Sequence, residues 1–153
     1  MNNLKIFLIS IFCLLMHSHM SGQAFKLEEL AAFNKLDMAT FKTEIRKHKY
    51  TFYDRTESPD FILFEYDSPD YVYKIGKFEY TGENSENHIE FQFKDKKDYN
   101  FYVKAVLAAG YKQTTTGKII TDEGYTDYFK NKSHIRIVEP ENAEDSYTIL
   151  VFR

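Results

Sequence analysis

Short segments rich in aromatic and β-branched residues recur after residue 50, and turn-forming residues separate them. Two Ser-Pro-Asp tripeptides, at positions 58–60 and 68–70, bracket one such segment of seven residues, Phe61–Asp67. Proline presets the backbone for a tight turn, and Ser and Asp side chains hydrogen-bond nearby backbone groups. This punctuation favours short strands over long helices and predicts a sheet in which sequence neighbours pair antiparallel.

Eight segments fit this description as strands, over residues 50–53, 61–67, 71–81, 88–94, 111–116, 125–131, 134–139 and 146–152. Two other regions repeat apolar residues at helical spacing. Residues 27–48 are predicted to be helical in two pieces, the second capped by Asp37. A further helix is predicted from a cap at Asp98 to a stop at Gly110.

The two halves of the chain match at a nearly constant offset. Five capping or apolar positions between Asp37 and Tyr50 recur 61 positions later, and three apolar positions between Ile89 and Phe93 recur 58 positions later. Half-repeats over about 27–94 and 95–153 are too small to bury a core alone. We therefore expect an α+β fold: a two-layer sandwich in which two α-β-β-β-β repeats lie side by side as a mainly antiparallel sheet, with the helices on one face.

The strand predicted over residues 71–81 changes phase in its middle. Tyr73 and Ile75 have the opposite parity to Phe78 and Tyr80. One extra residue near Gly76 would return all of them to one face, so the pattern predicts a β-bulge there.

Residues 1–24 have the composition of a secretory signal peptide. Lys5 precedes an apolar run from Ile6 to Met16, and small residues precede a cleavage site after Ala24. A bilayer span needs about 20 apolar residues, and this run is shorter. We expect export to the periplasm or the medium, with no membrane span, and a single α+β domain over residues 25–153.

Composition argues against several classes of function. Beyond residue 24 the chain has no cysteine, so disulfide scaffolds and cysteine-ligated zinc or iron–sulfur centres are excluded. Removal of Lys5 takes the formal charge from -3 to -4, and no long basic run occurs, so nucleic-acid binding is not expected. The chain has no phosphate-binding glycine loop and no Gly-x-Ser-x-Gly motif. We expect a non-enzymatic protein without a cofactor.

Large apolar residues occupy both odd and even positions of several predicted strands, so they would point to both faces of the sheet. A strand that is covered on one face only should alternate apolar with polar residues. Contiguous apolar side chains on the uncovered face would mark a site for a protein or a small apolar ligand. The candidate binding residues on that face are Phe61, Leu63, Val72, Tyr128, Leu150 and Phe152. The alternative is that the first helix, a loop or the curvature of the sheet covers them.

Two other functions remain open at this point. His88, His134 and Glu90 lie on outward parities and would hold a divalent metal if the halves brought them together, which would suit a metal-assisted envelope hydrolase. A structural envelope component that self-associates through the same apolar face is the third hypothesis.

Overall fold

The structure, a computed structural model, describes residues 24–82 and 87–153; all of the expected signal peptide except Ala24 lies outside them. The helices are α1 (Leu27–Lys35), α2 (Met38–Lys47) and α3 (Lys96–Ala108). The strands are β1 (Thr51–Glu57), β2 (Phe61–Asp67), β3 (Lys74–Tyr80), β4 (His88–Phe93), β5 (Lys112–Lys118), β6 (Gly124–Lys130), β7 (Ser133–Glu139) and β8 (Tyr147–Phe152).

The eight strands form one sheet in the order β1-β2-β3-β4-β8-β7-β6-β5, and every neighbouring pair is antiparallel. The α+β class and the antiparallel sheet are thus confirmed. Each half of the chain contributes four consecutive strands, and the halves meet where β4 pairs with β8. At the centre of that junction Phe91 pairs with Ile149.

The helices of the described chain pack on one face of the sheet, which we call the helix face. Phe41 of α2 packs edge to face on Tyr66 of β2, with ring centroids 6.0 Å apart. Tyr102 of α3 packs in the same way on Phe91 of β4. Leu30 of α1 belongs to the same buried cluster. We call the opposite side of the sheet the open face.

The ends of the helices follow from local hydrogen bonds. Asp37 caps α2 as predicted, because its carboxylate accepts from the Thr40 backbone N–H at 2.8 Å. The predicted cap of the last helix is wrong. Asp95 accepts from the Lys97 N–H at 2.7 Å, so the cap of α3 lies three residues before the predicted Asp98 cap.

The predicted bulge near Gly76 is also wrong. β3 pairs residue for residue with both β2 and β4 through this position. Ile75 therefore faces the helices, whereas Phe78 faces the open side. The bulges lie instead in the two edge strands, at Tyr53 in β1 and Thr114 in β5. The change of phase in β3 arises because this strand carries apolar side chains on both faces. The strand therefore needs no bulge.

The helices are short compared with the thickness of a membrane. The longest of those described, α3, has 13 residues, and none has the length and apolar character of a bilayer-crossing helix.

Candidate binding surface on the open face

One line of side chains crosses six strands of the open face. Leu63, Phe78, His88 and Phe152 pair directly across β2, β3, β4 and β8, and His134 pairs with Phe129 across β7 and β6. The Phe152 and His134 rings close the gap between these two series, with centroids 4.2 Å apart. We call these six residues the aromatic row.

Both histidines of the aromatic row stand between phenylalanine rings. The His88 imidazole lies 4.6 Å from Phe78 and 5.0 Å from Phe152, measured between ring centroids. The His134 imidazole lies 4.3 Å from Phe129 on one side and 4.2 Å from Phe152 on the other. The pairs Phe78–His88, His134–Phe129 and His134–Phe152 are stacked, whereas the His88 and Phe152 rings are tilted by 42°.

A second line of side chains, which we call the charged row, runs parallel to the first. It comprises Glu65, Gly76, Glu90, Leu150, Arg136 and Asp127, one residue from each strand between β2 and β6.

Asp127 is the most strongly bonded member of the charged row. Arg136 donates from Nε and Nη2 to its two oxygens, at 2.8 and 2.9 Å, and His134 Nε2 lies 2.8 Å from Oδ1. Burial by itself would raise the pKa of Asp127. The bonds from Arg136 and His134 outweigh that effect and hold its pKa below the usual value.

Gly76 leaves a notch between two glutamates of the charged row. A Cβ atom placed there would lie 3.1 Å from Leu63, 3.6 Å from Glu65 and 3.9 Å from Glu90, so these three side chains line the notch. Burial raises the pKa of Glu65; the nearby charge of Lys74 opposes the rise, and that of Glu90 adds to it. The notch is therefore lined by one apolar side chain and two glutamates.

The turn between β5 and β6 borders the open face. A pocket of about 160 Å³ lies between Ile119 and Glu123 of this turn and the sheet residues Glu90, Arg136, Val138 and Leu150. A second, open cleft of about 500 Å³ is also lined by Ile119 and Arg136. Ile120, at the tip, is fully exposed.

Four of the six predicted binding residues lie on the open face. Phe61, Leu150 and Phe152 are partly exposed there, and Leu63 is 9% exposed. The first helix does not cover them, because Leu27, Leu30 and Phe33 belong to the core of the helix face.

The other two predicted residues lie elsewhere. Tyr128 is 5% exposed and belongs to the helix-face core, opposite Ile135 of β7. The outward parity assigned to it is wrong, because β6 carries aromatic residues at both parities and alternation cannot choose between them. Val72 is 46% exposed but lies in the loop between β2 and β3.

The pattern of alternation also missed Phe78, Tyr125 and Phe129 on the open face. The turn between β6 and β7 is the signal that would have found two of them. Only two residues separate Lys130 from Ser133, and such a turn fixes the pairing of its strands. That register places Phe129 opposite His134 and Tyr125 opposite Val138.

The residues of the metal hypothesis do not converge. The His88 and His134 rings contact Phe152 from the strands on either side of β8, so the Phe152 ring lies between them. Glu90 lies beside His88, with Oε1 3.3 Å from Nε2. Over residues 24–82 and 87–153, no three His, Cys, Asp or Glu side chains form a metal-binding group.

Comparison with known proteins gives no relative for this chain: no family model matches it, and no curated protein or solved structure shows a significant match.

Proposed function

We propose that residues 25–153 form a non-enzymatic binding domain that acts outside the cytoplasm and contacts its partner through the open face. The observation that carries the proposal is the aromatic row, which crosses six strands on the face away from the helices. Contiguous exposed apolar surface commonly marks an interaction site; in this row Phe129 is exposed and Phe78, His134 and Phe152 are half-buried, whereas Leu63 and His88 are buried. Export rests on the sequence of residues 1–24.

The polar groups of the open face support binding better than catalysis. Asp127 is engaged by Arg136 and His134, and Glu90 lies within ion-pair distance of His88. A catalytic base or nucleophile needs access to a substrate, whereas these groups are engaged with each other. A paired network of this kind keeps charged side chains satisfied beside an apolar contact area.

A metal-assisted hydrolase finds no specific support, because Phe152 separates the two histidines. Equilibrium dialysis with Zn²⁺ addresses this alternative directly. Stoichiometric zinc binding that is lost on His88→Ala and His134→Ala substitution would revive it.

We also infer that the halves are structural repeats. Positions 61 apart share the left-handed backbone that ends a helix, at Lys49 and Gly110, and the bulges of β1 and β5 are 61 positions apart as well. A circular permutant that begins at Asp95 and links Arg153 to Phe25 should unfold cooperatively, because it breaks no strand pairing. A permutant that unfolds without a cooperative transition would count against the inference that the halves are structural repeats.

The binding proposal is tested by capture from the envelope fraction with immobilised protein of residues 25–153. Phe61→Asp and Leu150→Asp should lose the captured partner while far-UV circular dichroism stays unchanged. Leu107→Asp is the matched control, since this leucine is 51% exposed on α3. Equal capture by all four proteins would refute the role of the open face.

A further inference from the structure

We infer that the partner of the open face is a second copy of this chain, packed sheet against sheet about a two-fold axis that runs along the strands between β4 and β8. This inference rests on the proposed function, because it uses the same face. Two sheets packed face to face lie about 10 Å apart, with their inner side chains interdigitated.

The charges on the open face are divided between its two halves. In the half formed by β1–β4, the strand register places four carboxylates, Asp54, Glu65, Asp67 and Glu90, and one cation, Lys74, on this face. The Lys74 Nζ lies 3.9 Å from Glu65 Oε1. In the half formed by β5–β8, it places Lys112 and Arg136 there, beside Asp127. One half is therefore mainly acidic, whereas in the other the cations outnumber the carboxylate.

The proposed axis brings opposite halves together. It places β4 over β8, β3 over β7 and β2 over β6 of the second copy, so each acidic half faces a half that carries cations. Two identical contacts result, as in any two-fold dimer.

The charged row supplies the central contact. Gly76 of one copy lies opposite Arg136 of the other, because both belong to this row and β3 faces β7. The same register sets Glu65 opposite Asp127, whose two oxygens already accept from Arg136. The Gly76 notch has Glu65 and Glu90 on its sides. Asp127 already holds the Arg136 guanidinium through two hydrogen bonds, so this cation is fixed before association.

Exposed apolar groups at one end of the sheet also match. The axis keeps each end of the sheet against the same end of the second copy. It therefore brings Ile120, at the β5–β6 turn, towards Tyr71 and Val72 in the β2–β3 loop. Ile120 is fully exposed, and Tyr71 and Val72 are 79% and 46% exposed.

Sedimentation equilibrium of residues 25–153 tests the inference. The wild-type protein should be dimeric at micromolar concentration. Arg136→Glu should be monomeric by itself, and so should the double variant Glu65→Lys with Glu90→Lys. An equimolar mixture of these two proteins should dimerise, because exchange of the charges makes both contacts favourable in the mixed pair.

A second variant keeps the test sound if Arg136→Glu fails to fold. Gly76→Gln fills the notch, removes no ion pair, and should weaken dimerisation at least about tenfold. Lys104→Glu, on the exposed side of α3, should leave dimerisation unchanged.

Three results would overturn the inference: a wild-type monomer at about 100 µM, dimers that persist in the folded charge and notch variants, or a mixture that stays monomeric. A wild-type monomer that captures an envelope protein through Phe61 and Leu150 would overturn self-association and leave the proposed binding function intact.

Discussion

Phe152 and His134 stack face to face, with ring centroids 4.2 Å apart and ring planes 7° from parallel. Phe129 covers the other side of the His134 ring at 4.3 Å. Because the Phe129, His134 and Phe152 rings cover one another's faces, little ring face is left open in this part of the row. Such a surface suits an apolar protein face better than a planar ligand that needs an exposed ring face on which to stack.

Removal of Phe152 should break the aromatic row at its centre. Phe152→Ala deletes the ring that contacts both His88 and His134, and the position is half-buried. We expect a loss of about 1–3 kcal/mol in the free energy of unfolding, measured in urea. Phe101→Ala, at a half-exposed position on α3, should cost less than about 1 kcal/mol. Equal losses would show that the row adds no stability.

Asp127 should make folding sensitive to acid. Its pKa in the folded chain lies below the reference value of 3.8, so its contribution to stability is complete above that pH. The contribution is lost as the pH falls through the folded-state pKa. Asp127→Asn should cost about 1–3 kcal/mol at pH 7.

Urea unfolding of both proteins between pH 7 and pH 2 measures this effect. Other carboxylates titrate alike in the two proteins, so the difference between them isolates Asp127. That difference should shrink on acidification. A difference that stays constant down to pH 2 would contradict the assignment.

Lys77 is buried on the helix face, where it should reduce stability at neutral pH. Its Nζ lies 3.2 Å from the Asn34 carbonyl oxygen and 3.5 Å from Glu79, and burial lowers its pKa despite the opposing charge of Glu79. Lys77→Met keeps most of the volume and removes the buried charge. We expect it to raise the free energy of unfolding at pH 7 by about 1–2 kcal/mol.

The pH dependence provides the check on Lys77. With a folded pKa below 10.5, the unfolded chain binds more protons at alkaline pH, so wild-type stability rises relative to Lys77→Met as the pH rises. The advantage of the variant should therefore be smaller at pH 10 than at pH 7. A variant that is less stable at both values would mean that the bonds to Asn34 and Glu79 outweigh desolvation.

Two glycines on paired strands should respond in opposite ways to alanine. A Cβ at Gly117 would meet the Tyr125 ring at 2.9 Å, and the Arg136 guanidinium lies 4.0 Å from the centroid of the same ring. A Cβ at Gly124 would meet nothing within 4 Å. Gly117→Ala should cost about 1 kcal/mol, because Tyr125 must move. Gly124→Ala should gain about 0.5 kcal/mol through the lower entropy of the unfolded chain. Thermal unfolding of both variants measures the difference, and a shift of the same sign in both would contradict it.

The sequence predicted the face of a side chain correctly where apolar and polar residues alternate, and failed where a strand has large apolar residues at both odd and even positions. β4 alternates cleanly, and Ile89, Phe91 and Phe93 lie on the helix face as their parity predicts. β6 has aromatic residues at both parities, so Tyr128 was assigned to the wrong face. The bulge expected at Gly76 failed for a related reason: we assumed that all large apolar groups share one face.

The amino-acid sequence by itself determined the kinds of elements and their order, because helix caps, turns and side-chain alternation depend on residues a few positions apart. Only the tertiary structure decided that β4 pairs with β8. This pairing joins His88 to Phe152 across 64 positions of sequence, and through Phe152 to His134, so that side chains from both halves form one row. A strand pattern specifies which groups share a face, but which strands become neighbours depends on long-range burial that no local pattern encodes.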